Sequence, residues 1–432
     1  MKKFVEVGPS PRPSPRSAGR GRQVLLLIVL ATVAFAGNRA HPGGTLQVAL
    51  VSPSAAVDPL SADAPVDALR LMLTHQLLCK VVELSRPSPN VLRLTTAASV
   101  EPKLVTEALQ RVSVTTLPVH GLLFPVSSWT VNGRAVDLQL KGPSPDLERM
   151  LCHPAFAIPL GAFRANGTRL EAFDEQPSGR PHLDAVVLQS ADARTAERLF
   201  AQRRVQLVAG ASSPDDVAQL FATALVLSPG LASLRAAIES TTDRGDLAKF
   251  FVTAPAGPLP GLLPPSLAPQ QPLAPAAKPA PLNPPRELTL LFDEEAPHEK
   301  SIAQRLQVKL QPLGYRLALK PTPRRTLRAR SPAEGELFLQ SLVLPPSPAG
   351  ALLLWLELAG QHARIPAVLQ QLAAAPDVDA RARELSLQLG PELPVIPLVT
   401  RGLGVAAARE VQHLTRDPLG LPRLDDVFFA TE

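Results

Sequence analysis

Between Pro255 and Pro285, 12 of 31 residues are proline. A stretch with so few backbone donors cannot be a helix interior or a central strand, so it reads as an extended linker or surface loop. It splits the chain into two blocks that carry the same local pattern. Upstream, Leu183–Gln189 reads as a strand, Asp192–Arg204 as a helix and Val205–Val208 as a second strand. Downstream, Glu287–Phe292, Pro297–Leu313 and Tyr315–Lys320 repeat that order. The second helix sets Ile302, Leu306, Leu310 and Leu313 on one face, with Gly314 at its end. A strand–helix–strand unit implies parallel strands joined by a crossover, so both blocks predict α/β architecture.

The amino-terminal segment has the three parts of an export signal. Lys2, Lys3, Arg12, Arg16, Arg20 and Arg22 precede the uncharged, mainly apolar run Val24–Ala36, and Ala34-Phe35-Ala36 gives the small-x-small cleavage pattern. Thirteen residues are too few to cross about 30 Å of hydrocarbon, which takes ~20 in a helix; an uncleaved anchor is the alternative. The leader also carries most of the charge. With one acid, Glu6, it holds +5 of the chain's +6, leaving a body near +1. That body lacks the basic footprint a phosphate backbone requires, so nucleic acid is not an expected partner. The remaining cluster Arg324, Arg325, Arg328 and Arg330 is expected to be a solvated face.

Other elements follow from periodicity and turn chemistry. Thr45–Val51 reads as a short buried strand and Asp67–Leu84 as a helix. Pro102 opens another helix, Asn132-Gly133 marks a hairpin within Thr130–Leu140, and Asn166-Gly167 marks a second within Gly161–Phe173. Leu231–Phe251 and Ile365–Ala374 are further helices, and Val395–Val399 is a late strand. Aromatic residues make up only 4%, so Trp129 and Trp355 are the candidates for a ligand-contacting ring, with core filling as the plainer reading. Cys79 and Cys152 are the only cysteines; an oxidising compartment permits a disulfide between them, and two separate buried thiols fit equally. No Cys/His spacing suits zinc, and no cofactor is expected. Catalytic motifs of the Gly-x-Ser-x-Gly or His-Glu-x-x-His kind are missing, so no catalytic residue is assigned.

Several phrases stand in a familiar order. Gly43-Gly44-Thr45-Leu46-Gln47-Val48 is followed by Val57-Asp58-Pro59, then Gly161-Ala162-Phe163 and Gly179-Arg180-Pro181-His182-Leu183-Asp184. Leu234-Arg235-Ala236-Ala237-Ile238 with Asp243-Arg244 comes next, ahead of Gly261-Leu262-Leu263-Pro264-Pro265, the block Glu287–Tyr315 and Pro394-Val395-Ile396-Pro397-Leu398. In this order the chain resembles the extracellular solute-binding proteins of family 5, the dipeptide- and oligopeptide-binding components of bacterial ABC importers. Two departures are plain. The family's Phe-x-Asp-Gly stretch is missing or shrunken between Asn90 and Ser127. The segment matching its acidic peptide-binding loop, Leu342–Pro348, has no acid, leaving a peptide's ammonium without a counter-charge there.

The resemblance implies an α/β, two-lobed periplasmic-binding-protein-like clamshell of type II with mixed sheets. Residues 1–36 would be the signal, 37–225 the first lobe, 226–394 the second with the proline-rich 255–285, and 395–432 a return to the first. Val395–Val399 would then share a body with Leu46–Leu50. Crossovers near Phe221–Pro229 and Leu393–Thr400 make Thr223 and Pro397 the expected hinge residues. The implied role is capture of a small or peptide-like ligand by a periplasmic monomer that docks on ABC permease subunits. A diverged relative that binds without transport, as envelope scaffold or sensor, is the alternative.

Overall fold

Strand Thr45–Leu50 buries Leu46, Val48, Ala49 and Leu50, and lies parallel to Leu207–Ala209 on one side and Ala185–Ser190 on the other. Burial on both faces is what a central parallel strand demands, and it explains the nearly continuous apolar run. The computed structural model describes residues 40–41, 43–51, 58–211, 219–228, 230–252, 255–269, 280–328 and 330–430. The leader, with Ala34 and Ala36, lies outside them.

The first sheet has six strands in the order Val405–Ala407, Leu207–Ala209, Thr45–Leu50, Ala185–Ser190, Arg169–Ala172 and Phe163–Asn166. A second six-stranded sheet runs Ala256–Pro258, Val395–Arg401, Phe221–Leu227, Glu336–Val343, Arg286–Asp293 and Tyr315–Thr322. Both are mixed, with parallel pairs at each crossover unit and antiparallel pairs elsewhere. A four-stranded antiparallel sheet, Val82–Ser88, Val91–Thr96, Ala135–Leu140 and Val126–Asn132, also belongs to the first half, beside two small sheets built mainly from residues 411–430. Helix Pro297–Leu310 buries Ile302, Ala303, Leu306 and Leu310 against the second sheet, and Gly314 ends the unit with φ 80°. Only glycine takes that left-handed turn without strain.

Five expectations need correction. Strand Val395–Arg401 belongs to the second sheet, paired with Phe221–Leu227, so it does not share a body with Leu46–Leu50. The chain returns to the first sheet only after Arg401, through Val405–Ala407. The two passages thus lie between Ala209 and Phe221 and between Arg401 and Val405. Thr223 pairs with Val399 and Pro397 with Ala224, inside paired strands rather than at the passages. Leu231–Phe251 is two helices, Ala232–Thr241 and Arg244–Phe251, because the Asp243 carboxylate accepts from the amides of Gly245 and Asp246 and starts a new one.

The helix expected over Asp67–Leu84 stops at Thr74, and Val82–Ser88 is already a strand. The proline-rich stretch is not a free linker where it is described. Ala256–Pro258 forms an edge strand, a sheet position that tolerates proline, and Leu259, Leu262 and Leu263 are buried in the core.

Candidate functional site

Helix Pro65–Thr74 starts with proline and carries Asp67 in its first turn, where the helix dipole favours a negative charge. Asp63 lies just before it. Across the seam, strand Arg286–Asp293 ends on Asp293, and the short helix Arg324–Arg328 follows strand Tyr315–Thr322. These three elements bring opposite charges from the two halves together. Arg324 donates from Nε to Asp293 Oδ2 at 2.6 Å and from Nη1 to Asp67 Oδ2 at 3.0 Å, with Asp63 Oδ1 at 3.6 Å. Arg328 pairs with the other Asp63 oxygen. The Arg324 and Arg328 side chains are 20% and 9% exposed, so these two of the four clustered arginines form a largely buried bridge, while Arg325 and Arg330 are solvated as expected.

Behind this bridge lies a second polar layer. Glu299 accepts from the Asp293 amide at 2.9 Å and from Ser341 Oγ at 2.7 Å, and burial pushes its carboxyl up to about 7. His298 Nε2 is 3.2 Å from Ser341 Oγ. Burial and the Arg401 and Arg324 charges hold its imidazole neutral, well below the ordinary range. Arg401, at the end of its strand, lies 3.5 Å from the Asp63 carbonyl oxygen, and burial lowers its guanidinium to about 10.

Further along the seam, the His153 Nδ1 accepts from the Ala155 amide, so its Nε2–H donates to the Val343 carbonyl at 3.0 Å. Arg149 grips Asp379 through both terminal nitrogens, and Asp146 meets Ser347. Between these contacts a cavity of about 40 Å³ remains, lined by Leu60, Asp63, Val119, His153, Arg328 and Ser341 among others. The seam is shut.

Apolar packing also crosses it. One core cluster contains Leu122, Met150 and Phe156 of the first half with Leu353, Trp355 and Leu393 of the second. A Cβ on Gly121 would stand 2.4 Å from Glu357 Cγ and 3.3 Å from the Leu353 carbonyl, so the two sides approach to backbone distance.

Neither tryptophan lines this cavity. Trp355 is fully buried on helix Pro348–Leu358 and donates its Nε1–H to the Leu262 carbonyl, which makes it core. Trp129 is half-buried on strand Val126–Asn132 and packs against the same cluster. Cys79 and Cys152 are joined, with Cα atoms 5.1 Å apart, tying helix Leu78–Val81 to the end of Leu147–Met150. Sequence reasoning missed the seam residues. Asp63 and Asp67 share the four-residue spacing of Arg324 and Arg328, but nothing local says the two pairs meet. Among the described residues there is no group of three or more His, Cys, Asp or Glu that could hold a metal ion, and no helix long and apolar enough to cross a membrane.

No protein-family model and no curated protein matches the chain. Solved structures do. The periplasmic binding protein DppA from Helicobacter pylori, in complex with the peptide STSA, superposes with a TM-score of 0.72 at 14% identity, over 92% of this chain and 100% of that one. AgaA from A. tumefaciens R10, in complex with agropinic acid, gives 0.70 at 16% identity, over 90% and 99%. NikA from Staphylococcus aureus, in complex with Ni(L-His)2, gives 0.69 at 15% identity, over 89% and 99%. The chain therefore has the two-lobed α/β fold of the periplasmic solute-binding proteins, with mixed sheets in both lobes.

Proposed function

We propose that this protein is an exported solute-binding protein that captures a small ligand between its halves and presents the closed form to the permease subunits of an ABC importer. The observation that carries the reading is the seam itself: Arg324 and Arg328 of the second half meet Asp63 and Asp67 of the first. Charges held in place by two bodies suit a cleft that opens and shuts, because a ligand bearing either sign can replace one side of each pair. The leader supports export to the periplasm, and no step of the reading calls for catalysis. A monomer is sufficient for it.

A cavity of about 40 Å³ admits no peptide or sugar, so ligand entry requires the halves to part. The test is a thermal-shift and small-angle X-ray scattering screen of the mature protein against amino acids, short peptides, sugars and small anions. A true ligand at 100 times its dissociation constant adds about 2.7 kcal/mol. It also compacts any open fraction. Silence from every class in both measurements overturns the reading.

One observation favours a second reading, a binding-only relative that serves as scaffold or sensor without transport. The apolar cluster continuous across the seam makes opening expensive. Uptake in membrane vesicles containing the cognate permease separates the two, since only the importer component stimulates it.

A further inference from the structure

The four-stranded sheet ends on an open edge. No described strand lies beyond Val126–Asn132, which pairs only with Ala135–Leu140. An exposed edge is a template for another chain, and proteins guard theirs with charge, proline, bulges or shortness. The other long edges of this fold are guarded. Val82–Ser88 holds Glu83, Arg86 and Pro87, and Tyr315–Thr322 holds Arg316, Lys320 and Pro321. Every remaining described edge strand has four residues or fewer. Val126–Asn132 has seven residues, none of them charged and none proline. Its guard is a bulge between Val126 and Ser128, which leaves Ser128–Asn132 regular.

Register decides which backbone groups are free. Asn132 pairs with Ala135 across the two-residue turn Gly133-Arg134. The pair closing such a hairpin exchanges both backbone bonds, and bonded and non-bonded pairs then alternate along the ladder. Thr130 with Asp137 is therefore bonded, while Val131 with Val136 and Trp129 with Leu138 are not. The amides and carbonyls of Trp129 and Val131 point away from the sheet and have no partner among the described residues.

The side chains follow the same alternation. Trp129 and Val131 stand on the core face, opposite the fully buried Leu138 and Val136. Yet Val131 is 53% exposed and Trp129 only half-buried, so the core face runs out uncovered at this edge. Ser128, Thr130 and Asn132 lie on the other face and are exposed.

We propose that this edge is a self-association surface whose occupant is a second copy of the chain. The strand is its own complement. Run antiparallel to itself about a two-fold axis at Thr130, it sets Trp129 opposite Val131 of the second copy and Val131 opposite that copy's Trp129. Each of these pairs exchanges two backbone bonds through the groups left free. Each also joins an aromatic to a β-branched side chain on the core face, a favourable cross-strand combination. Ser128 meets Asn132 on the other face, and no charge meets a like charge along Ser128–Asn132. The reciprocity of two free positions, two residues apart, selects a second copy over a foreign strand. Such a contact is isologous, so it closes at two copies. It is also short, which makes the dimer a transient one. It uses none of the residues that bridge the seam and does not depend on the importer reading.

Sedimentation velocity of the mature protein over a rising concentration series tests it, with amide hydrogen exchange on the same samples. The wild type passes from monomer to dimer, and the Trp129 and Val131 amides become protected as it does. Thr130→Lys and Thr130→Glu each set like charges face to face at the axis and weaken self-association by about tenfold or more. Mixed in equal amounts the two variants recover it, which a merely structural role for Thr130 would not produce. Ala318→Lys, exposed on an edge strand of the other large sheet, leaves it unchanged. Should Thr130→Glu fail to fold beside Asp137, Val131→Pro replaces it, since it removes one free donor at an edge that tolerates proline; it too weakens the dimer. The proposal is overturned if the wild type stays monomeric throughout, whether or not it binds a foreign peptide. It is equally overturned if Thr130→Lys associates as the wild type does, if the mixed variants stay apart, or if a dimer forms with the Trp129 and Val131 amides unprotected.

Discussion

Arg324 Nη1 stands 3.0 Å from Asp67 Oδ2, across 257 positions of chain. The same guanidinium bonds Asp293 within its own half, so one side chain couples the end of a strand to the start of a helix in the other body. Replacing Arg324 with Met leaves Asp67 and Asp293 buried without their cation. The expected cost is on the order of 3 kcal/mol, together with a larger radius of gyration in small-angle scattering. Adding Asp67→Leu recovers part of the loss, as coupled neighbours do. An unchanged radius in Arg324→Met would mean that the bridge does not hold the halves together.

Glu299 makes the seam sensitive to pH. Burial raises its carboxyl from the usual 4.5 to about 7. Below 4.5 it is protonated in folded and unfolded chains alike, and its full contribution is present. As pH rises toward 7 the unfolded chain releases the proton first, so that stability is progressively lost. Melting wild type and Glu299→Gln from about pH 5 to about pH 8 isolates this group, because His298 and Asp417 titrate in both proteins. The wild type declines relative to the variant across the window, whereas a constant difference would rule the effect out.

The disulfide spans 73 positions. Closing a loop of that size removes unfolded-state entropy equivalent to about 4 kcal/mol. A Cys79→Ser, Cys152→Ser protein is expected to reach its urea midpoint well below that of the oxidised wild type, and reduced wild type should match it. Equal midpoints for all three would contradict this.

Trp355 is a core residue with a polar handle. Trp355→Phe strips the Leu262 carbonyl of its donor and leaves a small void, at a cost of about 2–3 kcal/mol by denaturant titration. Affinity for a seam ligand stays within about twofold, since the ring does not line that cavity. A large affinity change would return Trp355 to the binding surface.

Gly404 lies in the shorter passage between the halves, where its carbonyl accepts from the Gly210 amide at 2.8 Å. A Cβ there would stand 2.0 Å from the Ala211 carbonyl oxygen, which is backbone and cannot rotate away. Gly404→Ala is expected to cost about 3 kcal/mol or more by denaturant titration. A neutral substitution would show that this passage relaxes freely.

Much of the fold is legible where periodicity and turn chemistry act locally. The unit around helix Pro297–Leu310 and the hairpins at Asn132-Gly133 and Asn166-Gly167 follow from residues within a dozen positions of one another. Helix Pro348–Leu358 is invisible in the sequence because it is buried on every side, so no polar stripe marks its period. Strand Val395–Arg401 is recognisable as a strand but not as part of the second body, since a fully buried strand carries no sign of which sheet receives it. The seam is unreadable for a related reason. Charge clusters look solvated until the partner hundreds of residues away is placed against them.

The pairing of Phe221 with Arg401, and of Ala209 with Val405, sets the ends of both covalent tethers beside each other. One of them is only Gly402-Leu403-Gly404. Were the halves to part, as the proposed function requires, they would turn about these tethers as a pivot without tearing either ladder. Displacement then grows with distance from that pivot, so small twists there become the largest travel on the far rim.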